Sequence, residues 1–92
     1  MANARFNVSE WAVDRNVAAG NENRVAVRVG GRSVTYDELL DLVAAAGGAL
    51  AELGLRRDER VLLVLLDGLE FVTAFLGAAR IGAIPVAVNP LL

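Results

Sequence analysis

Apolar residues fall along this chain in two periodicities, and the switches between them lay out the elements. Residues 61–66 form an unbroken apolar run of strand length, VLLVLL. Residues 69–80 follow with helical spacing, and residues 84–88 form a second short run rich in β-branched side chains. Strand, helix and strand within about thirty residues predict a right-handed βαβ unit with parallel strands. A parallel strand with no polar face is covered on both sides, so this unit is expected at the centre of an α/β layer. A chain of 92 residues is expected to be too short to supply both covers.

Upstream, a helix is predicted over residues 9–19. Ser9 is a favourable N-cap type, Glu10 sits where the helix dipole favours negative charge, and Gly20-Asn21 tolerate the positive φ of a helix end. Trp11, Val13, Val17 and Ala18 give this helix only a loose apolar stripe. Trp11 is read as an anchor onto a neighbouring surface, because large aromatics mostly serve packing. In RVAVRVGGRSVTY, Val25, Val27 and Val29 alternate with Ala26 and Arg28 as a strand with one buried face. Gly30-Gly31 predicts a type I′ hairpin turn, whose two central residues both need positive φ, with residues 33–35 returning. No helix follows these glycines directly and no lysine accompanies them, so a turn is preferred over a phosphate loop.

Thr35 with Glu38 then forms a capping box at the start of a second helix. Leu39, Leu42, Val43, Ala46, Leu50 and Leu53 recur at spacings of three and four as one apolar face, and Gly54-Leu55 supply a glycine cap with its hydrophobic contact. Gly47-Gly48 interrupt that helix at a cost of about 1 kcal/mol each relative to alanine, which marks a close approach of another backbone. Residues 56–60, RRDER, are expected to be a solvated connection. After the apolar strand, Asp67 and Glu70 have capping-box spacing. Phe71, Ala74, Phe75 and Ala78 are assigned to the inner face of the third helix, and Gly82 ends it.

Composition narrows what such a unit can do. The apolar fraction is 55 %, above the roughly 45–50 % of an average domain, although alanine supplies much of it. Net charge is −2, which gives no electrostatic case for nucleic acid or an anionic membrane surface. All nine basic residues are arginine, and lysine, histidine and cysteine are absent. Zinc, haem and iron–sulfur sites and a disulfide framework therefore have no ligands to build on. No apolar segment has the length of a signal peptide core or membrane span, and a cytoplasmic location is expected.

Open α/β sheets bind ligands at the carboxyl ends of their strands. Here that end reads Leu66-Asp67-Gly68-Leu69-Glu70, with one glycine, so neither a dinucleotide fingerprint nor a P-loop is present. Asp67 and Glu70 could be imagined as an acid–base pair, but the capping box accounts for both. Ser9, Ser33, Thr35 and Thr73 have no histidine or lysine to activate them. The residues alone predict an α/β module with no catalytic, cofactor-binding or metal site of its own.

The order of segments nevertheless resembles the extreme N-terminus of the adenylate-forming enzymes, the acyl- and aryl-CoA synthetases. The resemblance is carried by SVTYDELLDLVAAAGGALAELGL and then RRDERVLLVLLDGLEFVTAFLGAARIGAIPVAVNPLL. FNVSEWAVDRN and LLDGLEFVTAFLGA are most similar to the benzoate-CoA ligases. The resemblance implies a two-step reaction in the parent enzyme, in which a carboxylate attacks the α-phosphate of ATP and coenzyme A thiol then displaces AMP. It implies ATP, magnesium and coenzyme A for that parent, with the phosphate loop and its lysine, the ribose-binding aspartate and the catalytic lysine of the C-terminal domain all beyond this stretch. Without a lysine, no catalytic residue can be carried over. The expectation is an α/β chain, an N-terminal hairpin plus a parallel βαβ unit flanked by helices. Residues 1–92 would be a fragment of the large N-terminal domain of an acyl- or aryl-CoA ligase, inactive alone and partnered by the remainder of that ligase. The alternative is a stand-alone α/β interaction module that self-associates or binds a protein.

Overall fold

The computed structural model describes residues 6–64 and 68–88. A π-helical segment, Glu10–Asp14, runs directly into α1, Arg15–Ala18, and is followed by β1, Val25–Val29, and β2, Arg32–Thr35. Next come α2, Tyr36–Glu52, β3, Arg60–Val64, α3, Leu69–Arg80, and β4, Ile84–Val88. Strands β1 and β2 form an antiparallel hairpin, whereas β3 and β4 pair in parallel as a separate two-stranded sheet. The expected hairpin, three helical regions and strand–helix–strand unit are all present. The apolar run is strand through Val64; its last two residues lie outside the described residues.

Residue-level rules explain most boundaries. Thr35 Oγ1 accepts from the Glu38 backbone N–H at 3.2 Å, and the Thr35 N–H donates to Glu38 Oε1 at 2.9 Å, so the predicted capping box closes in both directions. These bonds, the backbone one foremost, hold the Glu38 carboxyl below the usual glutamate range. A lowered folded pKa contributes stability that is complete above the unfolded value and lost as pH falls through the folded one. Glu38→Gln keeps an acceptor at that position but removes the titration. Its urea midpoint is expected to fall less steeply on acidification than that of the parent chain; superimposable profiles would refute the assignment.

All three helical regions end in the same way. The N–H groups of Gly20, Gly54 and Gly82 bond back to Val17, Ala51 and Ala79, and those of Asn21, Leu55 and Ala83 to Asn16, Leu50 and Ala78. This double bond pattern is the Schellman motif, and it needs the positive φ that each glycine adopts, 89°, 100° and 84° in turn.

The start of the first helix differs from expectation. Ser9 is itself helical, with φ −67° and ψ −45°, and its side chain makes no cap bond. The cap is Asn7, whose Oδ1 accepts from the N–H groups of Ser9 at 3.0 Å and Glu10 at 3.2 Å. Its Nδ2 donates to the carbonyls of Ala79 at 3.0 Å and Arg80 at 3.3 Å, at the end of α3. An amide can satisfy orphan donors of one helix and orphan acceptors of another, which a serine hydroxyl of shorter reach cannot do. Asp14 adds a second link, its two carboxylate oxygens each 2.8 Å from Arg80 Nη1. With both side chains about a third exposed, that ion pair is worth at most about 1 kcal/mol. Asn7→Ala is expected to cost about 1–2 kcal/mol by chemical denaturation, and Asn7→Ser, which retains only the capping function, about half as much. Equal losses would show that the bonds to α3 contribute nothing.

Two other expectations are corrected. Only Gly30 of the turn pair has positive φ, at 59°, which is the pattern of a type II′ turn rather than I′. A register shift between Val25 and Val27 also bulges β1, and Val25 is left exposed. Trp11 is 54 % exposed and anchors nothing in the core; it lies beside the Phe6 ring with the Arg15 guanidinium 4.5 Å above its own. Trp11 and Val13 are two residues apart and so point to nearly opposite sides of a helix. Val13 takes the buried side, with 1 % exposure.

The core is Val13, Val34, Leu39 and Val43, where the π-helical segment, β2 and α2 meet. Leu69, Val72 and Leu76 of α3 pack against it. The face of α3 turned to that core is therefore not the predicted Phe71, Ala74, Phe75 and Ala78 set. Ala78 is buried, while Phe71 and Phe75 stack on each other at 5.9 Å and are half-buried. The helix has two working sides because it packs on α2 and also on the β3–β4 sheet. Helices α2 and α3 meet backbone to backbone. A Cβ built on Gly77 would lie 2.8 Å from the Gly47 nitrogen, and one on Gly47 would lie 2.9 Å from the Gly77 carbonyl oxygen. The close approach predicted at Gly47 is thus present, whereas Gly48 faces open space. Leu53, placed on the apolar face by its spacing, is 84 % exposed because it is the C-cap residue, beyond the buried turns of α2.

Candidate functional site

The parallel pair offers one place for chemistry by the general rule for α/β sheets, the carboxyl ends of β3 and β4. Asp67, half of the predicted second capping box, lies outside the described residues. The structure assigns the N-cap of α3 to Gly68, with no side-chain cap bond, and Glu70 falls in the first turn as an exposed carboxylate. Thr73 Oγ1 donates to the Glu70 carbonyl at 3.1 Å, so this hydroxyl is engaged with its own helix.

The other hydroxyls considered from sequence are equally remote from a nucleophile's setting. Thr35 is held by the capping box, and Ser33 is exposed on β2. Ser9 is fully buried, and its Oγ has no hydrogen-bond partner among the described residues. No histidine or lysine stands beside any of them, because the chain contains neither, and the Glu38 carboxylate next to Thr35 is engaged in the capping box.

Two open clefts among the described residues lie at the amino end of the parallel strands, the wrong end of the sheet for α/β chemistry. One, of about 540 Å³, is lined by Phe6, Asn7, Arg57, Phe75, Ile84 and Pro85 among others, next to the amino end of β4. The second, of about 770 Å³, runs between Leu50, Leu53 and Leu55 of the α2 end and Arg60-Val61 at the amino end of β3. The charged connection at their junction is exposed as predicted, yet tied down: the Asp58 N–H donates to the Gly82 carbonyl at 2.8 Å, and Arg56 N–H to Glu59 Oε1 at 2.7 Å. Among the described residues, no group of three His, Cys, Asp or Glu side chains could hold a metal ion. No reaction step is assigned to these side chains.

The most pronounced surface feature is apolar. In the parallel register Leu62 lies beside Val86 and Val64 beside Val88, with Ile84 beside Arg60, so alternate residues share one side of the sheet. On that side Leu62 is 62 % exposed, Val64 51 %, Ile84 45 % and Val86 39 %, whereas Leu63, on the opposite side, is buried. One cover is present, supplied by α3. The second cover, expected from the apolar character of β3, is missing among the described residues. No helix among them is long and apolar enough to cross a membrane.

A hairpin feeding α2, with α2 packed on the crossover helix of a parallel pair, is the arrangement found in acid–CoA ligases of known structure. The chain superimposes on a benzoate CoA ligase from Burkholderia xenovorans LB400 with a TM-score of 0.85 and 35 % identity, covering 96 % of this chain and 18 % of that one. It belongs to the AMP-binding enzyme family, which matches residues 14–92. It is 42 % identical over 89 residues to a benzoate–CoA ligase of Thauera aromatica, covering 96 % of this chain and 17 % of that protein. It is also 44 % identical over 84 residues to an acetyl-coenzyme A synthetase of Streptomyces avermitilis, covering 86 % of this chain and 13 % of the relative. The chain thus spans less than a fifth of the length of these relatives.

Proposed function

We propose that these residues are a scaffold segment at the N-terminus of the large N-terminal domain of an ATP-dependent carboxylate–CoA ligase, and that they perform no chemistry alone. The observation that supports this most is the bare apolar side of the β3–β4 sheet, together with the small share of each relative that the chain spans. A layer exposing Leu62, Val64, Ile84 and Val86 is half of a packing arrangement whose other half lies elsewhere. In this reading the whole enzyme activates a carboxylate as its acyl-adenylate and passes it to coenzyme A, using ATP and magnesium. A cytoplasmic location goes with a reaction that consumes ATP and coenzyme A. Similarity runs at nearly the same level to a benzoate–CoA ligase and to an acetyl-coenzyme A synthetase, so this stretch carries the scaffold rather than the choice of acid.

Two measurements test this reading. The purified chain, given benzoate, ATP, magnesium and coenzyme A, is expected to release no AMP or pyrophosphate above a protein-free blank; turnover would end the proposal. Grafting this segment in place of the matching one in a benzoate–CoA ligase is expected to leave the host's acid preference unchanged. A changed preference would show that these residues shape the substrate pocket.

The same apolar face also supports a second reading, a stand-alone α/β module that binds a protein or itself. Native mass spectrometry separates the two: recovery with a longer polypeptide carrying the rest of a ligase favours the first, and a homo-oligomer alone favours the second.

A further inference from the structure

We draw no further inference here: the strongest candidate, the solvent-facing apolar patch of Leu62, Val64, Ile84 and Val86 on the β3–β4 sheet, carries nothing beyond the proposal above because nothing in the structure shows what covers it.

Discussion

Gly77→Ala is expected to destabilise the chain by about 3 kcal/mol, the upper end of what overpacking usually costs. The new Cβ would sit 2.8 Å from the Gly47 nitrogen, 2.9 Å from Ala46 Cβ and 3.1 Å from the Val43 carbonyl oxygen. Two of those three atoms are backbone of α2, so relief cannot come from rotating a side chain. It requires α2 and α3 to move apart, which loosens Val72 and Leu76 from the core they pack against. That loss is a large fraction of the roughly 5–15 kcal/mol that stabilises an ordinary domain. Gly48→Ala is the control, since its Cβ meets nothing within 4 Å and α2 gains a better helix former. It is expected to stabilise by up to about 1 kcal/mol. Urea denaturation of both variants reads the contrast directly. If Gly77→Ala unfolds no earlier than the parent, the backbone contact between the helices is wrong.

The second large effect separates the two sides of β3. Leu63 is 7 % exposed, under α3, and Leu63→Ala is expected to cost about 2–5 kcal/mol from lost burial and the cavity left behind. Leu62 is 62 % exposed on the other side, and Leu62→Ala is expected to change stability by less than about 0.5 kcal/mol. Adjacent leucines in one apolar run would thus differ several-fold, which the run by itself gives no reason to expect. A loss at Leu62 matching that at Leu63 would mean that the outer side of the sheet is covered in solution.

Much of the fold was legible because its causes are local. A capping box spans three residues, a Schellman end spans six, and helical and strand periodicities repeat within a few residues. Thr35 with Glu38, the glycines at 20, 54 and 82, and both parallel strands could therefore be placed from short windows. That no histidine or lysine stands beside Ser33, Thr35 or Thr73 is equally legible, since the sequence contains neither.

What failed was whatever depends on a partner distant in sequence. Ser9 is a better-placed N-cap by the local pattern, but Asn7 wins because its amide also reaches carbonyls 72 and 73 positions away. A clue was present in Asn7-Val8-Ser9-Glu10, where Asn also ranks among the strongest N-cap residues. The inner face of α3 was misassigned because a helix wedged between α2 and a sheet is apolar on more than one side, and periodicity alone does not rank the sides. Val13 rather than Trp11 takes the buried side of its helix, where β2 and α2 meet it, and a loose apolar stripe does not rank those two positions.

The amino-acid sequence is enough to set the element order, the Thr35–Glu38 capping box, the glycine helix ends and the parallel unit, because short-range hydrogen bonding and periodicity decide those. It took the packed molecule to show that Gly47 rather than Gly48 meets α3, that Asn7 ties the first helix to the last, and that one side of β3 is uncovered among the described residues. Each of these depends on which surfaces meet in three dimensions, and burial and close packing are properties of pairs of elements, not of any single stretch of chain.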